Sequence, residues 1–313
     1  MTVLTDPTAA PETTPAREAA PAPRRRRPRT EAAYYWMVLP ALALFLLLHT
    51  TPVLRGIYYS FTDYAGYGSY EFVGLTNYLN LFEDARIAES YLFTFQFAAV
   101  ATVLTNIVAL AVALGLHARI RFRATLRGVF FTPNVLSILI VGYVFNYLFT
   151  YSLPAIGEHL GIDALSTSIL ADPDLAWVGV VILAVWQAAA FNIIIYLAGL
   201  QTVPEDLHEA ATLDGAGPWQ RFRSVTLPLI APFVTINTVL SLRNFLQVFD
   251  HVEALTAGGP GSATTSVSYL IYKGGFKGGE YAYQTANAVL FFAVIVLISV
   301  FQMRLLQRRE VNL

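Results

Sequence analysis

The sequence has no cysteine and few charged residues. Without a thiol, the chain forms no disulfide, no thiolate metal site and no cysteine nucleophile. Charged residues make up 13% of the 313 residues, against about 25% in soluble domains. Hydrophobic residues make up 56%, and the mean hydropathy is +0.53. These values exclude a polar linker or a disordered regulator for most of the chain and indicate a chain that lies in lipid.

Sequence motifs for nucleotide binding and catalysis are also missing. No G-x-x-x-x-G-K-[ST] occurs, so the chain cannot bind ATP phosphates through a P-loop. The sequence likewise lacks H-E-x-x-H and G-x-S-x-G, and its five histidines are spread over different segments. We therefore predict that the chain is not an enzyme and has no catalytic residues, no metal site and no cofactor of its own.

Residues 1–33 differ from the rest of the chain because they are rich in Pro, Ala and Thr and end in a basic run. We predict a disordered basic tail on the cytoplasmic side. A signal peptide is the alternative, but here the basic run is followed from Trp36 by an apolar segment long enough to cross a bilayer. Residues 34–313 then form one transmembrane domain.

Six windows reach the roughly 20 apolar residues that a membrane-spanning helix needs. They predict an all-α polytopic membrane protein with six transmembrane helices. The windows run from Trp36 to Tyr59, Tyr91 to Leu116, Leu126 to Phe149, Leu175 to Leu200, Val225 to Phe249 and Tyr283 to Leu305.

Basic residues alternate in number between successive connections and so predict the orientation. Most of the 20 Lys and Arg residues fall in the tail, the even-numbered connections and the C-terminus, whereas most acids fall in the other loops. Both termini are therefore predicted to be cytoplasmic. The basic residues outside the tail on this side are Arg119, Arg121, Arg123, Arg127, Arg221, Arg223, Arg304, Arg308 and Arg309.

The connection between the fourth and fifth windows breaks this pattern because acids outnumber arginines there. Its acids are Glu205, Asp206, Glu209 and Asp214. Pro204 suits the first turn of a helix, and Gly215 suits the residue that ends one. We predict a short cytoplasmic helix at residues 204–215. An ordinary turn between two membrane helices is the alternative, but it would not require a helix of this length.

One face of this predicted helix suits the approach of another protein. Leu207, Ala210, Ala211 and Asp214 recur at three- and four-residue spacing and so share that face. Small alanines allow close approach, while neighbouring carboxylates can accept charge-assisted hydrogen bonds.

Glu209-Ala210-Ala211, then Asp214-Gly215-Ala216 and Leu227-Pro228, resemble the EAA loop of binding-protein-dependent ABC importer permeases. Within that family the chain is most similar to the sugar-type branch, because residues 255–260, followed by Thr264-Thr265 and residues 269–272, resemble the branch's outer loop after the fifth span. The resemblance covers the chain from Trp36 to the C-terminus, without the N-terminal tail.

The resemblance implies a type I ABC importer permease fold in the cell membrane and a role in carbohydrate import. It implies a second permease subunit, two cytoplasmic ATPase subunits that bind ATP, an extracytoplasmic solute-binding protein and a sugar substrate, in contact with membrane lipid and without nucleic acid. It also implies that the EAA helix docks on the ATPase, with Glu209 as the salt-bridging residue. The coupling residues would be Glu209, Ala210, Ala211, Asp214 and Gly215.

An ion-coupled secondary transporter of a small polar solute is the alternative function. Such transporters usually need ionisable groups inside the membrane. No predicted span has a carboxylate at its middle, and only His49 and Arg243 are ionisable groups well inside. The sequence thus favours a chain driven by ATP on another subunit.

Polar residues of the fourth and fifth windows are the candidates for solute contact. Arg243, Gln247 and Asp250 are predicted to share a helical face, and the aromatic rings of Phe191, Phe245 and Phe249 lie near the amides in sequence. Hydrogen bonds between helices, or a link from Arg243 to Asp250, are the alternatives. The predicted path residues are Gln187, Asn192, Asn237, Arg243, Asn244, Gln247 and Asp250.

Overall fold

The computed structural model describes residues 30–118 and 120–307, with side chains for residues 34–118, 120–163 and 165–304. Residues 1–29 of the predicted tail, together with Arg119, Arg308 and Arg309, lie outside the described residues. Residues 30–33, which were also assigned to the tail, are helical. The chain divides into two compact units, Met1–Pro52 and Val53–Leu313.

The described residues are helical apart from their connections and one isolated β-bridge between Thr62 and Phe72. The α-helices are α1 (Thr30–Phe45), α2 (Thr51–Tyr59), α3 (Thr76–Glu83), α4 (Ala85–His117), α5 (Arg123–Val135), α6 (Ile138–Tyr147), α7 (Leu153–Leu160), α8 (Ala176–Leu200), α9 (Glu205–Leu213), α10 (Pro218–Arg221), α11 (Leu227–Leu229), α12 (Ala231–Leu246), α13 (Asp250–Leu255), α14 (Val267–Tyr272) and α15 (Tyr281–Gln307). Wider π-helical turns join several of them, at Leu46–Thr50, Leu148–Ser152, Phe222–Thr226 and Lys273–Lys277.

Five helical runs in the described residues are long and apolar enough to cross a membrane, and a bent pair makes a sixth. This result confirms the all-α polytopic prediction. The five runs are Tyr34–Tyr59, Ala85–His117, Ile138–Leu160, Ala176–Leu200 and Tyr281–Arg304.

The third predicted span, Leu126 to Phe149, is wrong in position. α5 ends at Val135, Leu136 adopts an extended conformation, and the apolar run that could cross the membrane is Ile138–Leu160. The carbonyls at the end of a helix have no intrahelical donor, and here the Gln187 side chain on α8 donates to the carbonyls of Pro133 and Leu136. Because that partner is distant in sequence, hydropathy alone did not reveal the break.

The fifth predicted span, Val225 to Phe249, also differs from the structure. Two helical segments, Pro218–Leu229 and Ala231–Leu246, meet at an angle of 70°. Pro232 lies in the first turn of α12, where a proline starts a helix without loss of a hydrogen bond. The fully buried Ile230 forms the corner between the segments.

Small residues let α4 and α8 pack closely at the centre of the second unit. Ala98, Ala101 and Ala109 of α4 are fully buried, as is Ala184 of α8. Without a hydrophobic driving force between helices in lipid, such close backbone approach is what stabilises a transmembrane pair. α12 packs against both helices and completes the core.

The buried clusters fix which helix ends lie together. Leu116 near the end of α4 packs with Leu200 at the end of α8, so these helices run in parallel. At the other end, Ile87 near the start of α4 packs with Ala286 near the start of α15. The helix α9, which follows α8, therefore belongs to the end opposite the start of α15.

A polar clamp joins the starts of α4 and α15. Arg86 donates to Asp84 at 2.8 Å and to Glu280 at 3.3 Å, and the Tyr283 hydroxyl donates to Asp84 at 3.0 Å. The Arg86 guanidinium holds the pKa of the Asp84 carboxyl below its usual range. The clamp fixes these two helix ends against each other.

Candidate functional site

A cavity of about 570 Å³ lies between α8, α12 and the break that precedes α6. Its wall combines amides and hydroxyls with aromatic rings, and it includes one histidine. Its polar and aromatic lining residues include Gln187, Phe191, Asn192, Asn244, Gln247, Phe249, Asp250 and His251. A concave site with a few convergent polar groups is the usual form of a small-molecule site.

The structure brings five of the seven predicted path residues to this cavity: Gln187, Asn192, Asn244, Gln247 and Asp250. Phe191, Phe245 and Phe249, expected near the amides, also line it. Arg243 and Asn237 do not belong to its lining. Their assignment to a solute path stays a prediction without support from this cavity.

The helical face predicted for Arg243, Gln247 and Asp250 is wrong. α12 ends at Leu246, and Phe249 has φ −134° and ψ −61°, outside the helical region. A new short helix, α13, begins at Asp250. Arg243 is exposed and makes no ion pair with Asp250 within the described residues. The chain direction changes after Leu246, so spacing along the sequence no longer defines a shared face.

Gln187 connects three parts of the cavity wall. Its Nε2 donates to the carbonyls of Leu136 at 3.1 Å and Pro133 at 3.4 Å, and its Oε1 lies 3.2 Å from His251 Nε2. The side chain is almost fully buried. One amide on α8 therefore holds both the helix break before α6 and the start of α13.

His251 is the wall residue that sequence analysis missed, since it was one of five scattered histidines without a motif. α13 packs against α6, and a Cβ on Gly142 would lie 2.4 Å from Ala254 Cβ. Only glycine allows this approach, which carries His251 toward Gln187. In the sequence, Gly142 inside the apolar helix α6 was the one feature that could have indicated this close packing.

Asn192 and Asn237 form hydrogen bonds between α8 and α12. Asn192 Nδ2 donates to Ser241 Oγ at 2.7 Å, and Asn237 Nδ2 donates to the Asn192 carbonyl at 3.2 Å. Asn237 is fully buried, and its Oδ1 has no partner among the described residues. For these two residues the structure therefore supports the interhelical alternative, with Asn192 also reaching the cavity wall.

We predict that Gln187→Leu destabilises the protein more than the same change at an exposed position. The variant leaves two carbonyls and His251 without their partner, and each unsatisfied buried group costs about 1–3 kcal/mol. Gln201→Leu is the control, because the exposed Gln201 donates to the Leu197 carbonyl alone. Thermal unfolding in detergent measures the difference, and equal melting temperatures would contradict the role assigned to Gln187.

The predicted cytoplasmic helix forms as α9, Glu205–Leu213, with Pro204 at its N-cap and Asp214 at its C-cap. No residue of α9 is buried. Glu205 and Asp206 occupy the first turn, where negative charge favours the helix dipole. α9 is therefore largely exposed beyond the end of α8, with His208 and Ala211 half-buried.

The end of α9 is a Schellman turn. Gly215 adopts φ +80°, the Gly215 amide donates to the Thr212 carbonyl at 3.0 Å, and the Ala216 amide donates to the Ala211 carbonyl at 2.9 Å. Arg221 of α10 then donates to Thr212 Oγ1 at 2.8 Å. These contacts fix α9 relative to the segment that enters α12.

The five predicted coupling residues lie together on α9 and its terminal turn. The Glu209 and Asp214 carboxylates have no partner within the described residues, and Leu213 is 89% exposed. A shallow groove beside Glu209 is lined by His208, Thr212 and Arg221. The arrangement offers two free acids and an apolar side chain to another protein.

A broken-helix membrane bundle with a polar cavity and a projecting acidic helix defines a transport permease. Residues 105–311 match the family described as "Binding-protein-dependent transport system inner membrane component". The chain belongs to this family, which confirms the resemblance and shows a multi-pass membrane protein. Family membership also favours the importer permease over an ion-coupled transporter and over an enzyme.

Curated relatives cover nearly the whole chain. It is 37% identical over 281 residues to the probable starch degradation products transport system permease protein AmyD of Thermoanaerobacterium thermosulfurigenes, covering 90% of this chain and 96% of AmyD. It is 36% identical over 282 residues to the multiple sugar-binding transport system permease protein MsmF of Streptococcus mutans, covering 88% and 97%.

A solved structure has the same fold. A chain of a bacterial ABC transporter involved in import of the acidic polysaccharide alginate superposes with a TM-score of 0.78. Its sequence is 23% identical, and the match covers 89% of this chain and 96% of that chain. This likeness confirms the ABC importer permease fold.

Proposed function

We propose that this chain is the membrane-spanning subunit of an ATP-driven carbohydrate importer. A second permease subunit completes the solute path, two cytoplasmic ATPase subunits drive it, and an extracytoplasmic solute-binding protein delivers the sugar. The names of AmyD and MsmF, which concern starch degradation products and multiple sugars, support the carbohydrate class. In this proposal both termini and α9 face the cytoplasm, because the basic residues are concentrated on that side in the sequence.

The observation that carries the proposal is the exposed helix α9 with the unpaired acids Glu209 and, at its C-cap, Asp214. Glu209 and Asp214 have no partner among the described residues, so a basic surface of an ATPase subunit can bind them through charge-assisted hydrogen bonds. Gly215 and Arg221 hold α9 to the segment that leads into α12. A movement of the ATPase would thus reach the cavity wall through one continuous stretch of chain.

The cavity between α8 and α12 is the proposed solute path in this subunit. Asn244 and Gln247 provide amides that pair with sugar hydroxyls, and Phe191 and Phe249 provide ring faces for the apolar side of a pyranose. The break before α6 is part of this wall, whereas the bend at Ile230 lies toward the other end of α12. They are positions where helices can change direction without new unsatisfied backbone groups.

The proposal is tested by measuring which subunits uptake requires. The chain is reconstituted in proteoliposomes with a second permease, the ATPase and a solute-binding protein, and labelled maltotriose uptake is measured. We expect uptake with the complete set and none when any subunit is omitted. Undiminished uptake by this chain alone would contradict the proposed assembly.

A further inference from the structure

A continuous series of aromatic rings leads from an exposed loop to the cavity. Its members, here called the aromatic series, are Tyr70, Tyr64, Tyr281, Phe276, Tyr272 and Phe249. Their successive ring centroids are 5.4, 5.6, 6.3, 5.8 and 5.1 Å apart. Phe249, the last ring, is part of the cavity wall. The loop between α2 and α3 thus connects to the candidate solute path through ring contacts alone.

The rings of the series are accessible to water, unlike the aromatic residues of the core. Tyr70 is 41% exposed and Phe276 is 73% exposed, and the other four members are half-buried. By contrast, the core rings Phe97 and Phe245 are 1% and 3% exposed. A packing cluster would bury its rings in the same way. The series instead forms a surface.

Polar groups accompany the ring faces. The hydroxyls of Tyr64, Tyr272 and Tyr281 make no hydrogen bond within the described part of the chain. Lys277 Nζ lies 5.0 Å from the Tyr272 ring centroid. A ligand that combines an apolar ring face with many hydroxyls would satisfy both kinds of group, whereas a purely apolar ligand would leave the hydroxyls unpaired.

The backbone holds the series in place. The Ala282 amide donates to the Tyr64 carbonyl at 2.8 Å, which fixes the loop against the start of α15. Tyr59 stacks on Tyr64 with a centroid distance of 4.7 Å and supports it from the side. The rings of Tyr64 and Tyr281 are therefore positioned by the fold before any ligand arrives.

We infer that the aromatic series is a carbohydrate-binding surface along which pyranose rings pass from the outer loops to the cavity. The inference rests on the proposed function, because it takes the carbohydrate class from there. Each ring offers a similar weak contact, so a sugar can leave one ring for the next without a deep energy minimum. Because Phe249 is both the last ring of the aromatic series and part of the cavity wall, the series leads to the cavity.

The test uses Phe276, since it links the two halves of the series and its exposed ring can be removed without a cavity in the core. In the complete reconstituted transporter, Phe276→Ala is expected to reduce maltotriose uptake about two- to tenfold, the equivalent of one aromatic contact. Phe276→Trp is expected to restore uptake. Tyr67→Ala is the control, because Tyr67 is 76% exposed and has no ring contact among the described residues.

A binding measurement separates this inference from the proposed function. Maltotriose is added to the purified full chain carrying Phe276→Trp or Tyr67→Trp, and tryptophan fluorescence is compared with that of the unaltered chain. We expect a saturable change for Phe276→Trp alone. Wild-type uptake with equal rates for Phe276→Ala and Tyr67→Ala and no fluorescence change would overturn the inference and leave the proposed function standing.

Two other results would also overturn the inference. If the solute-binding protein stimulates uptake less in Phe276→Ala than in the wild type, and maltotriose does not change the fluorescence of Phe276→Trp, the rings would be assigned to protein docking. Absence of ATP-dependent sugar uptake by the wild-type transporter, together with absence of a saturable maltotriose signal at Phe276→Trp, would refute the proposed function and overturn the inference with it.

Discussion

Glu209→Lys is expected to abolish solute uptake and to remove the ATPase subunits from the purified complex. Glu209 is an exposed acid on α9 without a partner in the described residues, and the proposal pairs it with a basic surface. Charge reversal would place like charges opposite each other, which costs on the order of several kcal/mol at an interface. We expect at least about a tenfold loss of association, the equivalent of about 1.4 kcal/mol. Co-purification and uptake measure the two effects.

The matched control for this prediction is Glu83→Lys. Glu83 is an exposed acid at the end of α3 without a partner in the described residues, and it lies in a connection predicted to be on the outer side. The same change of charge there should leave ATPase binding intact. Glu209→Gln should give an intermediate loss, because it removes the charge and keeps the shape. If association and uptake both survive Glu209→Lys, the coupling role of α9 is wrong.

Asn244→Trp is expected to block uptake by filling the cavity. Asn244 is an exposed residue of α12 that lines the cavity of about 570 Å³. An indole at this position would occupy space that the solute needs, while the packed face of α12 stays unchanged. We expect uptake to fall more than about tenfold and ATPase association to be unaffected. Together these results would place the block in the solute path.

Asn244→Ala provides the comparison for size. This variant removes the amide and widens the cavity, so one hydrogen bond is lost and the path stays open. The expected effect is a rise in KM of about two- to tenfold, in line with about 0.5–1.5 kcal/mol for one hydrogen bond. Uptake by Asn244→Trp at the wild-type rate would show that solute passes elsewhere.

Local signals predicted α9 well because they act over a few residues. Pro204, the acids of the first turn and Gly215 each have a local physical role. The acids and Gly215 lie as expected, whereas Pro204 is the N-cap and not the first helical residue. Hydropathy likewise revealed the long unbroken helices α4, α8 and α15. In these segments, the interactions that determine the structure lie within the segment itself.

The breaks in the helices could not be predicted in the same way because their partners are distant in sequence. Gln187 is more than fifty residues from the carbonyls that it binds at the end of α5. After the end of α12 at Leu246, α13 packs against α6, which is also distant in sequence. As a result, a helical face was wrongly assigned to Arg243, Gln247 and Asp250, and His251 was overlooked. Both errors fall on the cavity, where irregular backbone lines a polar space.

The energy source of uptake tests the central claim most directly. The complete transporter is reconstituted with the solute-binding protein, and labelled maltotriose uptake is measured once with ATP and no ion gradient, and once with a proton or sodium gradient and no ATP. If the chain is part of an ATP-driven importer, labelled maltotriose accumulates in the first case and does not accumulate in the second. Accumulation that follows the ion gradient without ATP would contradict the account.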